Sequence, residues 1–512
     1  MQTVSSAWTA EEKDTVRSIK NDLLVSWKKD STLGSTTFTI GSSLIGGDDL
    51  IGINPGAIGS PGNYNYFDES ENVLEVSWEH QLITPLGGLS KSLASGVLGN
   101  TQDRYLPKYL GGTLDKSELF TSILPRRPII INSGFLVDGI DDKIPQFSGL
   151  FRRSPSVKVR DKTLTFDAED YIGYFDQSYV DRQILFTGQR TDQIMLDLFA
   201  ASGMSTAQYE LDTGLNTIPF GIIPTGSSFA SVINDLAQSE NGYVFQDEEG
   251  VIRFWNRNHF GSAPFNQVQK IITTSQVINV ETTDEEDIIN TVEISSDVYA
   301  KQPDATIYEL VAPLDILAKI EKEVWINLDN PVLEVTGETI VANTLSDGTG
   351  SAIAVTIVRR EEFSDAVKYT LTVPTSGYIT QLDVTGRSAT VVDNIYIRES
   401  DSSSLTAYQE KKLTINNKYI QENTWANSFA RIILDAYSSP GNIVKLTIKA
   451  IPELQRGDLI SWQGLYWRIY SIRASLSPDS GFIQELVLLQ GSTDQIFEIG
   501  SSTIGGTDII GS

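Results

Sequence analysis

Short runs of alternating apolar and polar residues, separated by turn residues, make up much of the chain and constrain its fold more than any other feature. The runs NVLEVSWEH, KTLTFDAED and VKLTIKA alternate with a period of two, which places successive side chains on opposite faces of a strand. Glycine, proline, asparagine and aspartate separate such runs and favour turns. The pattern predicts a β-rich α+β protein, and 512 residues suffice for roughly three or four domains.

The chain is strongly acidic, with 39 Lys and Arg against 66 Asp and Glu and a formal net charge of -27. Such a surface stays soluble and repels nucleic acid backbones, which argues against sequence-specific DNA binding. The charge is also compatible with an acidic surface along which DNA passes without binding. No apolar run approaches the ~20 residues of a membrane span. We therefore expect no stable membrane insertion, and the polar start MQTVSSAWTAEEK predicts no secretory signal.

The residue types that carry catalysis are sparse. The chain has no cysteine, and its two histidines, His80 and His259, lie far apart with no second histidine at zinc-ligand spacing. His259 is expected at a surface or sheet edge. The densest acidic runs, residues 284–287 and 247–249, are predicted as a solvated loop and a solvated hairpin turn. The sequence therefore predicts no catalytic, metal or cofactor site, and a carboxylate-based cell-wall glycoside hydrolase stays an alternative.

Residues 176–265 have the pattern of a small α/β unit. The stretch TDQIMLDLFAASG has Thr191 as its predicted N-cap and Gly203 after its end. SSFASVINDLAQSENG repeats this pattern with a serine cap and Gly242, and GYVFQDEEGVIRFWNR predicts a hairpin. Two more helices are predicted. One covers about 10–21, after a TAEE capping box, and precedes the strand LLVSWKKD; the other has the apolar face Trp425, Phe429, Ile432, Ile433 and Ala436.

Residues 308–400 contain several strand-like runs at short spacing, which predicts an inserted immunoglobulin-like β-sandwich. Such a sandwich could carry a host-surface carbohydrate-binding function through exposed aromatic residues. Trp325 and Tyr378 are the candidates for that contact, and a core position is the expectation for each. Carbohydrate binding is kept as an alternative function.

A peptide near the start of the chain recurs at its end. TFTIGSSLIGGDDLIG (37–52) and IFEIGSSTIGGTDIIG (496–511) share 11 of 16 residues, including glycines at fixed offsets. Glycine permits tight turns and close backbone approach, and the large apolar residues between the glycines are expected to be covered by protein. Two alternatives stay open: packing against the same subunit, or docking to a partner. The partner-docking hypothesis rests on Phe38, Ile40, Ile45, Ile51, Phe497, Ile499, Ile504 and Ile510.

Three further stretches resemble the tail hub (minor tail or baseplate hub-like) proteins of long-tailed bacteriophages. RRPIIINSGFLVDG followed by FSGLFRRSPSVKVRDKTLTFDAEDYIGYF is similar to the first hub barrel, with Phe166, Asp167 and Asp170 in the matching segment. The α/β unit resembles the small domain between the hub barrels. The stretch from DSSSLTAYQEKK to IPELQRGDLI resembles the second barrel, whose Pro-x-Leu-x-x-Gly-Asp turn is matched by Pro452, Leu454, Gly457 and Asp458.

The resemblance covers about two thirds of the chain and implies two hub-type β-barrel domains with the small α/β domain between them. The inserted β-sandwich and the two arms depart from the hub pattern and are predicted from the sequence itself. Together they give the following predicted division: 1–32 N-terminal helix and strand, 33–72 Gly/Ser/Ile-rich arm, 73–175 first barrel, 176–265 α/β domain, 266–307 with 401–490 second barrel, 308–400 inserted sandwich, 491–512 C-terminal arm.

The resemblance also implies a structural role in the virion, at the distal end of the tail, without enzymatic activity or cofactor. A homotrimeric ring below the tail tube would adapt sixfold to threefold symmetry around the DNA channel. The implied partners are the distal tail or tail tube protein, the tape measure protein, and a tail-tip fibre or receptor-binding protein. DNA would pass through during ejection without specific binding.

Overall fold

The computed structural model describes residues 1–13, 19–29, 64–101, 103–105, 119, 122–181, 183–282, 288–363, 365–439 and 443–490. Within these ranges the helices are α1 Ser6–Lys13, α2 Thr191–Ala201, α3 Phe229–Ser239, α4 Ser402–Tyr408 and α5 Asn423–Tyr437. Strands dominate the remainder, as the alternating runs predict, and they are arranged in several sheets.

The strands of the first half are β1 Ile19–Lys29, β2 Tyr64–Asp68, β3 Val73–Gln81, β4 Gly88–Leu89, β5 Leu93–Gly99, β6 Pro128–Val137, β7 Ile140–Phe151, β8 Ser156–Lys158, β9 Thr163–Glu169, β10 Ile184–Arg190, β11 Tyr209–Leu211, β12 Thr217–Ile223, β13 Tyr243–Gln246 and β14 Ile252–Trp255. Those of the second half are β15 Lys270–Ile272, β16 Val277–Thr282, β17 Thr291–Lys301, β18 Ala305–Glu309, β19 Leu314–Ile316, β20 Lys322–Asn327, β21 Val332–Asn343, β22 Ala352–Ile353, β23 Thr356–Glu362, β24 Ala366–Thr372, β25 Gly377–Ser400, β26 Lys412–Asn416, β27 Ile443–Lys449, β28 Leu459–Trp462, β29 Leu465–Ser477 and β30 Gly481–Gln490.

One large sheet joins strands from both ends of the described chain. Its order is β16-β27-β30-β29-β3-β5-β9-β7-β6-β1-β2, with β15, β28 and β8 attached at its sides. We call β1–β3 with β5–β9 the N-terminal strand unit, and β15, β16 and β27–β30 the C-terminal strand unit. The antiparallel pairing of β3 with β29, in which Trp78 opposes Ala474, joins the two units. They therefore share one continuous hydrogen-bonded sheet.

Each strand unit encloses its own apolar core. The core of the N-terminal unit contains Trp27, Trp78, Phe147, Phe151 and Phe166, all buried. The core of the C-terminal unit contains Leu446, Ile448, Ile469, Leu486 and Leu488. Alternation along β27 puts Val444, Leu446 and Ile448 into that second core, which is the arrangement that the period of two predicts; on β30, Leu486 and Leu488 face it, whereas Phe482 packs in the core of the N-terminal unit.

The α/β unit between the two strand units has the predicted elements. Ser228 caps α3 by accepting a hydrogen bond from the Ser231 backbone N–H, and β13 and β14 form the predicted antiparallel hairpin. Thr191 is the first residue of α2 and not its N-cap, because Arg190 holds the cap position. The two helices pack on the small sheets around a shared core that includes Ile194, Leu198, Phe199, Phe229, Ile233, Leu236, Val244 and Phe254.

The inserted region is entered and left through a long antiparallel ribbon. Strand β17 pairs with the second half of β25, whose first half pairs with β21. A separate three-stranded sheet, β20-β24-β23, faces a core that includes Val324, Ile326, Val367, Tyr369 and Leu371. Helix α5 packs on β17 and β25, beside the base of the ribbon.

Several local predictions were wrong. The N-terminal helix spans Ser6–Lys13 and not about 10–21, and Ile19 lies in β1, which begins earlier than the predicted strand LLVSWKKD and pairs with β6. On α5, Ile432 is exposed, although Phe429 and Ile433 are buried as predicted. Trp325 and Tyr378 are also exposed and not part of the core, because Trp325 lies on the outer face of β20, where burial alternates.

Candidate functional site

The Pro-x-Leu-x-x-Gly-Asp turn lies inside the molecule and carries three buried charged residues. Glu453, Arg456 and Asp458 are each at most 1% exposed. The turn precedes β28, and its backbone is tied to β29 by a hydrogen bond from the Gly457 N–H to the Ile469 carbonyl (2.7 Å). Buried charges are costly unless they are paired. The partners of these three residues therefore identify what the turn holds together.

Glu453 connects the turn to the N-terminal helix and to β15. Its carboxylate accepts a hydrogen bond from the Trp8 indole N–H (3.0 Å) and forms an ion pair with Lys270 (2.6 Å). Lys270 also contacts the buried carboxylate of Glu12. The backbone N–H of Gln2 donates to the Glu453 carbonyl (2.9 Å). One lysine shared between two carboxylates thus fixes α1 against the C-terminal strand unit.

Arg456 connects the turn to the α/β unit and to β3. Its Nη2 donates to the Gln246 carbonyl of β13 at 2.5 Å and lies 3.2 Å from His80 Nδ1. The guanidinium stacks on the ring of Phe245 at 4.3 Å, and Glu248 lies 3.9 Å from Nη2. Burial lowers the pKa of Arg456, against the opposing effect of Glu248. This side chain therefore joins the turn, the α/β unit and β3.

His80 is held in a neutral form with a defined tautomer. Its Nε2 lies 2.6 Å from the Gln146 carbonyl, which can only accept, so Nε2 carries the proton. Its Nδ1 then accepts, facing Arg456 Nη2 and the Ser92 hydroxyl at 2.8 Å. Burial and the charge of Arg456 lower the pKa of His80 to about 4. A second positive charge beside Arg456 is therefore avoided.

Asp170 lies on the other side of Ser92 and is perturbed in the opposite direction. Its carboxyl accepts hydrogen bonds from the backbone N–H groups of Ser92 (2.6 Å) and Ile172 (3.1 Å). Burial raises the pKa of Asp170 to about 7 despite these hydrogen bonds. Asp170 was noted in the sequence only as part of a segment that resembles the first hub barrel.

A cavity of about 270 Å³ opens beside the turn. Gln455 and Arg456 line its inner side, and the hairpin β13–β14 lines another. His259 donates from Nδ1 to Asp212 (2.7 Å) and stacks on Trp255 with ring centroids 4.2 Å apart. Aromatic rings and carboxylates thus face each other across the cavity, but most of its carboxylates already have a cation or backbone N–H partner.

The structure corrects two predictions about charged residues near this cavity. Glu248 was expected in a solvated turn and is buried, because the hairpin turn packs on Gln455, whose amide donates to its carboxylate at 2.7 Å. His259 was expected at a surface or sheet edge; its side chain is only 15% exposed, and it follows β14, which lies between β11 and β13. The acidic run 284–287 lies outside the described residues. Among the residues that are described, no group of three or more potential ligands is placed to hold a metal ion.

The predicted docking residues cannot be placed. Residues 37–52 and 496–511, and with them all eight apolar residues of the docking hypothesis, lie outside the described residues. Sequence reasoning noted the turn through Pro452, Leu454, Gly457 and Asp458 but missed Glu453 and Arg456. The available signal was the density of charge in a short turn between two apolar strands, IKAIPELQRGDLISW.

The exposed Trp325 of the insert is in contact with neighbouring side chains. Trp325 stacks with Phe363, with ring centroids 5.4 Å apart and planes at 26°. Lys368 Nζ lies 5.3 Å from the Trp325 ring and is itself paired with Glu323 at 2.7 Å. Carbohydrate binding through this ring stays a prediction.

Within the described part of the chain, no helix has the length and apolar character needed to span a membrane. The turn and the side chains that it contacts form a buried junction. It fixes α1, the two strand units and the α/β unit relative to one another through Glu453 and through the Nη2 group of Arg456.

Comparison with known proteins finds similarity at the level of structure. No family model matches the chain. No curated protein matches it in sequence. Among solved structures, it is similar to the 43 kDa tail protein of prophage MuSo2 from Shewanella oneidensis (12% identity, 83% of this chain and 96% of the other, TM-score 0.43). A tail protein from Neisseria meningitidis MC58 covers 83% of this chain and 94% of its own length, at 10% identity and a TM-score of 0.43.

A component of the type VI secretion system of E. coli, described as structurally similar to the bacteriophage T4 tail proteins gp27 and gp5, is also similar to this chain. It has 11% identity, covers 82% of this chain and 74% of its own length, and has a TM-score of 0.34. Two of these three solved structures are of tail proteins, and the third is of a type VI secretion system component.

Proposed function

We propose that this chain is a structural protein of a bacteriophage virion that forms the hub at the distal end of the tail. Three copies would surround the DNA channel below the tail tube. Two barrel-like strand units per subunit would give six similar modules in the ring. Such a ring adapts the sixfold symmetry of a tail tube to threefold parts below it, and closed cyclic symmetry is the usual form of such assemblies.

The observation that supports this proposal is the continuous antiparallel sheet through β3 and β29. It joins two strand units, each with its own apolar core, into one body. The α/β unit is attached to the same body by the Arg456 contacts with Gln246 and Phe245. A subunit that must hold two similar modules at a constant spacing needs such a connection. The order of these units is also the order that the hub resemblance implies.

The charge of the chain is consistent with a channel that DNA crosses. A net charge of -27 repels the phosphate backbone, so that DNA would pass without specific binding. The partners proposed for the ring are a distal tail or tail tube protein above, the tape measure protein, and a tail-tip fibre or receptor-binding protein. Affinity between subunits would come from large buried interfaces, as in obligate oligomers.

The two copies of the repeated peptide are proposed as docking segments. Their large apolar residues alternate with glycines, so each can lie flat along a protein surface and insert side chains into it. Two linked copies also raise the effective affinity for a pair of equivalent grooves. Removal of residues 496–512 is expected to leave the fold intact and to weaken the recruitment of a tip protein. Unchanged tail-tip composition in particles that carry this deletion would contradict docking to a partner by the second copy.

The experiment for the hub itself is immunogold electron microscopy of particles from a producing culture, with antibody against this chain. Label confined to the distal tail tip supports the proposal, whereas label on heads or along fibres contradicts it. Light scattering of the purified chain after size-exclusion chromatography adds a second measurement. The expected particle has three times the mass of the 56.3 kDa chain.

A further inference from the structure

The turn between β8 and β9 carries exposed positive charge in an otherwise acidic chain. Its segment 158–162, which we call the basic turn, contains one carboxylate and three cations, all exposed: Asp161, Lys158, Arg160 and Lys162. The formal charge of the basic turn is therefore +2, whereas that of the whole chain is -27. Within the described ranges, none of these four groups takes part in an ion pair, in contrast to Lys143 on β7, which pairs with Asp22 at 2.7 Å. The charge of the basic turn is thus not neutralised by its own subunit.

The turn between β6 and β7 has the opposite charge. Its segment 138–142, which we call the acidic turn, contains no cation and three carboxylates: Asp138, Asp141 and Asp142. Lys20 and Lys143 form ion pairs with Asp141, at 3.6 and 3.5 Å. Asp138 and Asp142 form no ion pair with any cation in the described part of the chain. Two carboxylates of the acidic turn are therefore available to a cation from outside.

The two turns lie at opposite ends of the sheet. Leu150 of β7 opposes Glu169 of β9, and the two strands are antiparallel. From this pair, β7 extends back to Ile140, ten positions away, and β9 extends back to Thr163, six positions away in the opposite direction. At ~3.3 Å per residue, the turns are separated by roughly 50 Å along the strands. The basic and acidic turns of one chain therefore do not meet each other.

An exposed aliphatic side chain accompanies the charges at each turn. Ile140 in the acidic turn is 72% exposed, and Val159 in the basic turn is 50% exposed. An apolar centre with charged groups around it is typical of a contact between proteins. A nucleic acid fits less well, because the net charge of -27 repels its phosphates. These features favour a partner protein with an acidic surface, and the chain itself presents such a surface.

We propose that the basic turn of one copy docks on the acidic turn of a second copy of this chain. The cations of the first turn would face the carboxylates of the second, with Val159 and Ile140 packed between them. Because the contact joins unlike surfaces, each copy offers one turn to each of two neighbours, and such contacts close into a ring or continue as a filament. The inference rests on the proposed function in that copies of the chain assemble into a ring, and it names the surfaces that meet.

Reversal of charge at either turn tests the contact in the full-length chain. The basic-turn variant combines Lys158→Glu with Arg160→Glu. The acidic-turn variant combines Asp138→Asn with Asp142→Lys; asparagine is used because residue 138 has a positive φ of 51°, which asparagine tolerates. A swapped variant carries all four substitutions, so that the signs of both turns are exchanged and attraction between copies is restored.

The matched control reverses two cations away from both turns. Lys445→Glu and Lys449→Glu change the net charge by as much as the basic-turn variant does, at exposed positions of β27. Sedimentation velocity over a range of protein concentrations measures the concentration at which half of the copies are assembled. This control separates an effect of the turn from greater repulsion between more acidic chains.

The expected result is that each turn variant raises this concentration about tenfold or more, whereas the control changes it by less than about twofold and the swapped variant returns to within about threefold of the natural chain. Unchanged assembly in both turn variants would overturn the proposal. An equal loss in the control, or a swapped variant that assembles as weakly as the turn variants, would overturn it too.

Disulfide formation in a mixture tests whether unlike turns meet. The chain contains no cysteine, so Ile140→Cys and Val159→Cys each introduce a single thiol. After the two chains are mixed and oxidised, the disulfide between the two variants is expected in about tenfold excess over the disulfides between identical chains, because only unlike turns attract each other. An excess of disulfides between identical chains would overturn the proposed arrangement.

These outcomes are distinguishable from a failure of the hub proposal. Normal assembly of both turn variants would overturn the contact between turns and leave the immunogold test of the hub unaffected. Immunogold label away from the tail tip would overturn the hub, whereas loss of assembly in the turn variants would still support the contact. A natural chain that does not self-associate would overturn the contact itself. Binding of a fluorescent DNA duplex that the basic-turn variant loses, with assembly unchanged, would overturn it in favour of a nucleic acid partner.

Discussion

Replacing His80 with glutamine tests whether the buried junction holds this histidine neutral. The side-chain amide of glutamine can donate to the Gln146 carbonyl and accept from Arg456, which are the two roles of the neutral ring. Glutamine cannot take up a proton. The variant His80→Gln thus removes the titration and retains much of the hydrogen bonding.

The magnitude follows from the shifted pKa. The pKa of His80 falls from 6.5 to about 4 because of burial and the charge of Arg456. Below pH 6.5 the unfolded chain binds a proton that the folded chain does not bind until about pH 4. Stability from the neutral ring is therefore fully present above pH 6.5 and is lost as the pH falls to about 4. At ~1.4 kcal/mol per pH unit, the change is roughly 3 kcal/mol.

The raised pKa of Asp170 changes stability with pH in the opposite direction to the lowered pKa of His80. The pH dependence of the natural protein alone therefore does not isolate the contribution of His80, and a variant is needed. The pKa of Asp170 is raised from 3.8 to about 7 by burial, so Asp170 remains protonated in the folded chain while the unfolded chain ionises. Its contribution to stability is present below pH 3.8 and is lost as the pH rises to about 7. In the natural protein the two effects partly cancel between pH 4 and 6.5. Comparison with His80→Gln separates them, because Asp170 is present in both proteins.

The expected result is that His80→Gln destabilises the protein by about 3 kcal/mol more at pH 7 than at pH 4, following the linkage relation. Urea unfolding followed by tryptophan fluorescence at the two pH values measures this difference. Phe147→Leu is the control: its ring lies 6.3 Å from the His80 ring, neither residue of the substitution titrates, and its effect should be the same at both pH values.

A direct measurement uses NMR of the chain with isotope-labelled histidine. The chain has two histidines, so the signal that is missing in His80→Gln belongs to His80. This signal should not shift between pH 8 and pH 5. A midpoint near pH 6.5, or equal destabilisation by His80→Gln at both pH values, would refute the reasoning from burial and from Arg456.

Two further substitutions test the turn itself. Arg456→Met leaves the Glu248 carboxylate buried without its cation and should cost about 3–5 kcal/mol by urea unfolding at pH 7, whereas a loss below about 1 kcal/mol would show that the charge is not needed. Gly457→Ala should cost at least ~1 kcal/mol more than Gly464→Ala. Both glycines have positive φ (86° and 78°), but only at Gly457 would a Cβ lie 2.7 Å from Trp255, so equal thermal shifts in the two variants would contradict this steric argument.

The local pattern of the sequence predicts elements well where packing and propensity agree. Helix α3 has its serine cap, its apolar face and a glycine after its end, and it forms as expected. Helix α1 differs because Ile19 suits a strand as well as a helix, and pairing of β1 with β6 decides in favour of the strand. The predicted domain division remains a prediction.

The junction could not be derived from the sequence because a period of two reveals which face of a strand is buried and not which strand lies beside it. The pairing of β3 with β29 joins residues nearly 400 positions apart. Burial of charge is equally hidden. Glu248 and Arg456 each lie in a turn rich in polar residues, which is typical of solvated loops, and they are buried only because the two turns pack on each other.

The buried charges are better explained by geometric specificity than by stability. Replacing a buried ion pair with apolar residues is often neutral or stabilising, so Arg456 and Glu453 are poor evidence for a stable fold. Each of them, however, makes directional contacts: Arg456 Nη2 donates to the Gln246 carbonyl and faces neutral His80, and Glu453 contacts Trp8 and Lys270. Arg456 Nε and Nη1 are buried without a hydrogen-bond partner among the described residues. A shift of one strand unit against the α/β unit would leave these groups unpaired at a cost of several kcal/mol. An apolar junction would tolerate such a shift. In the proposed ring, which would present its modules at equal spacing, the directional junction would keep every subunit the same shape.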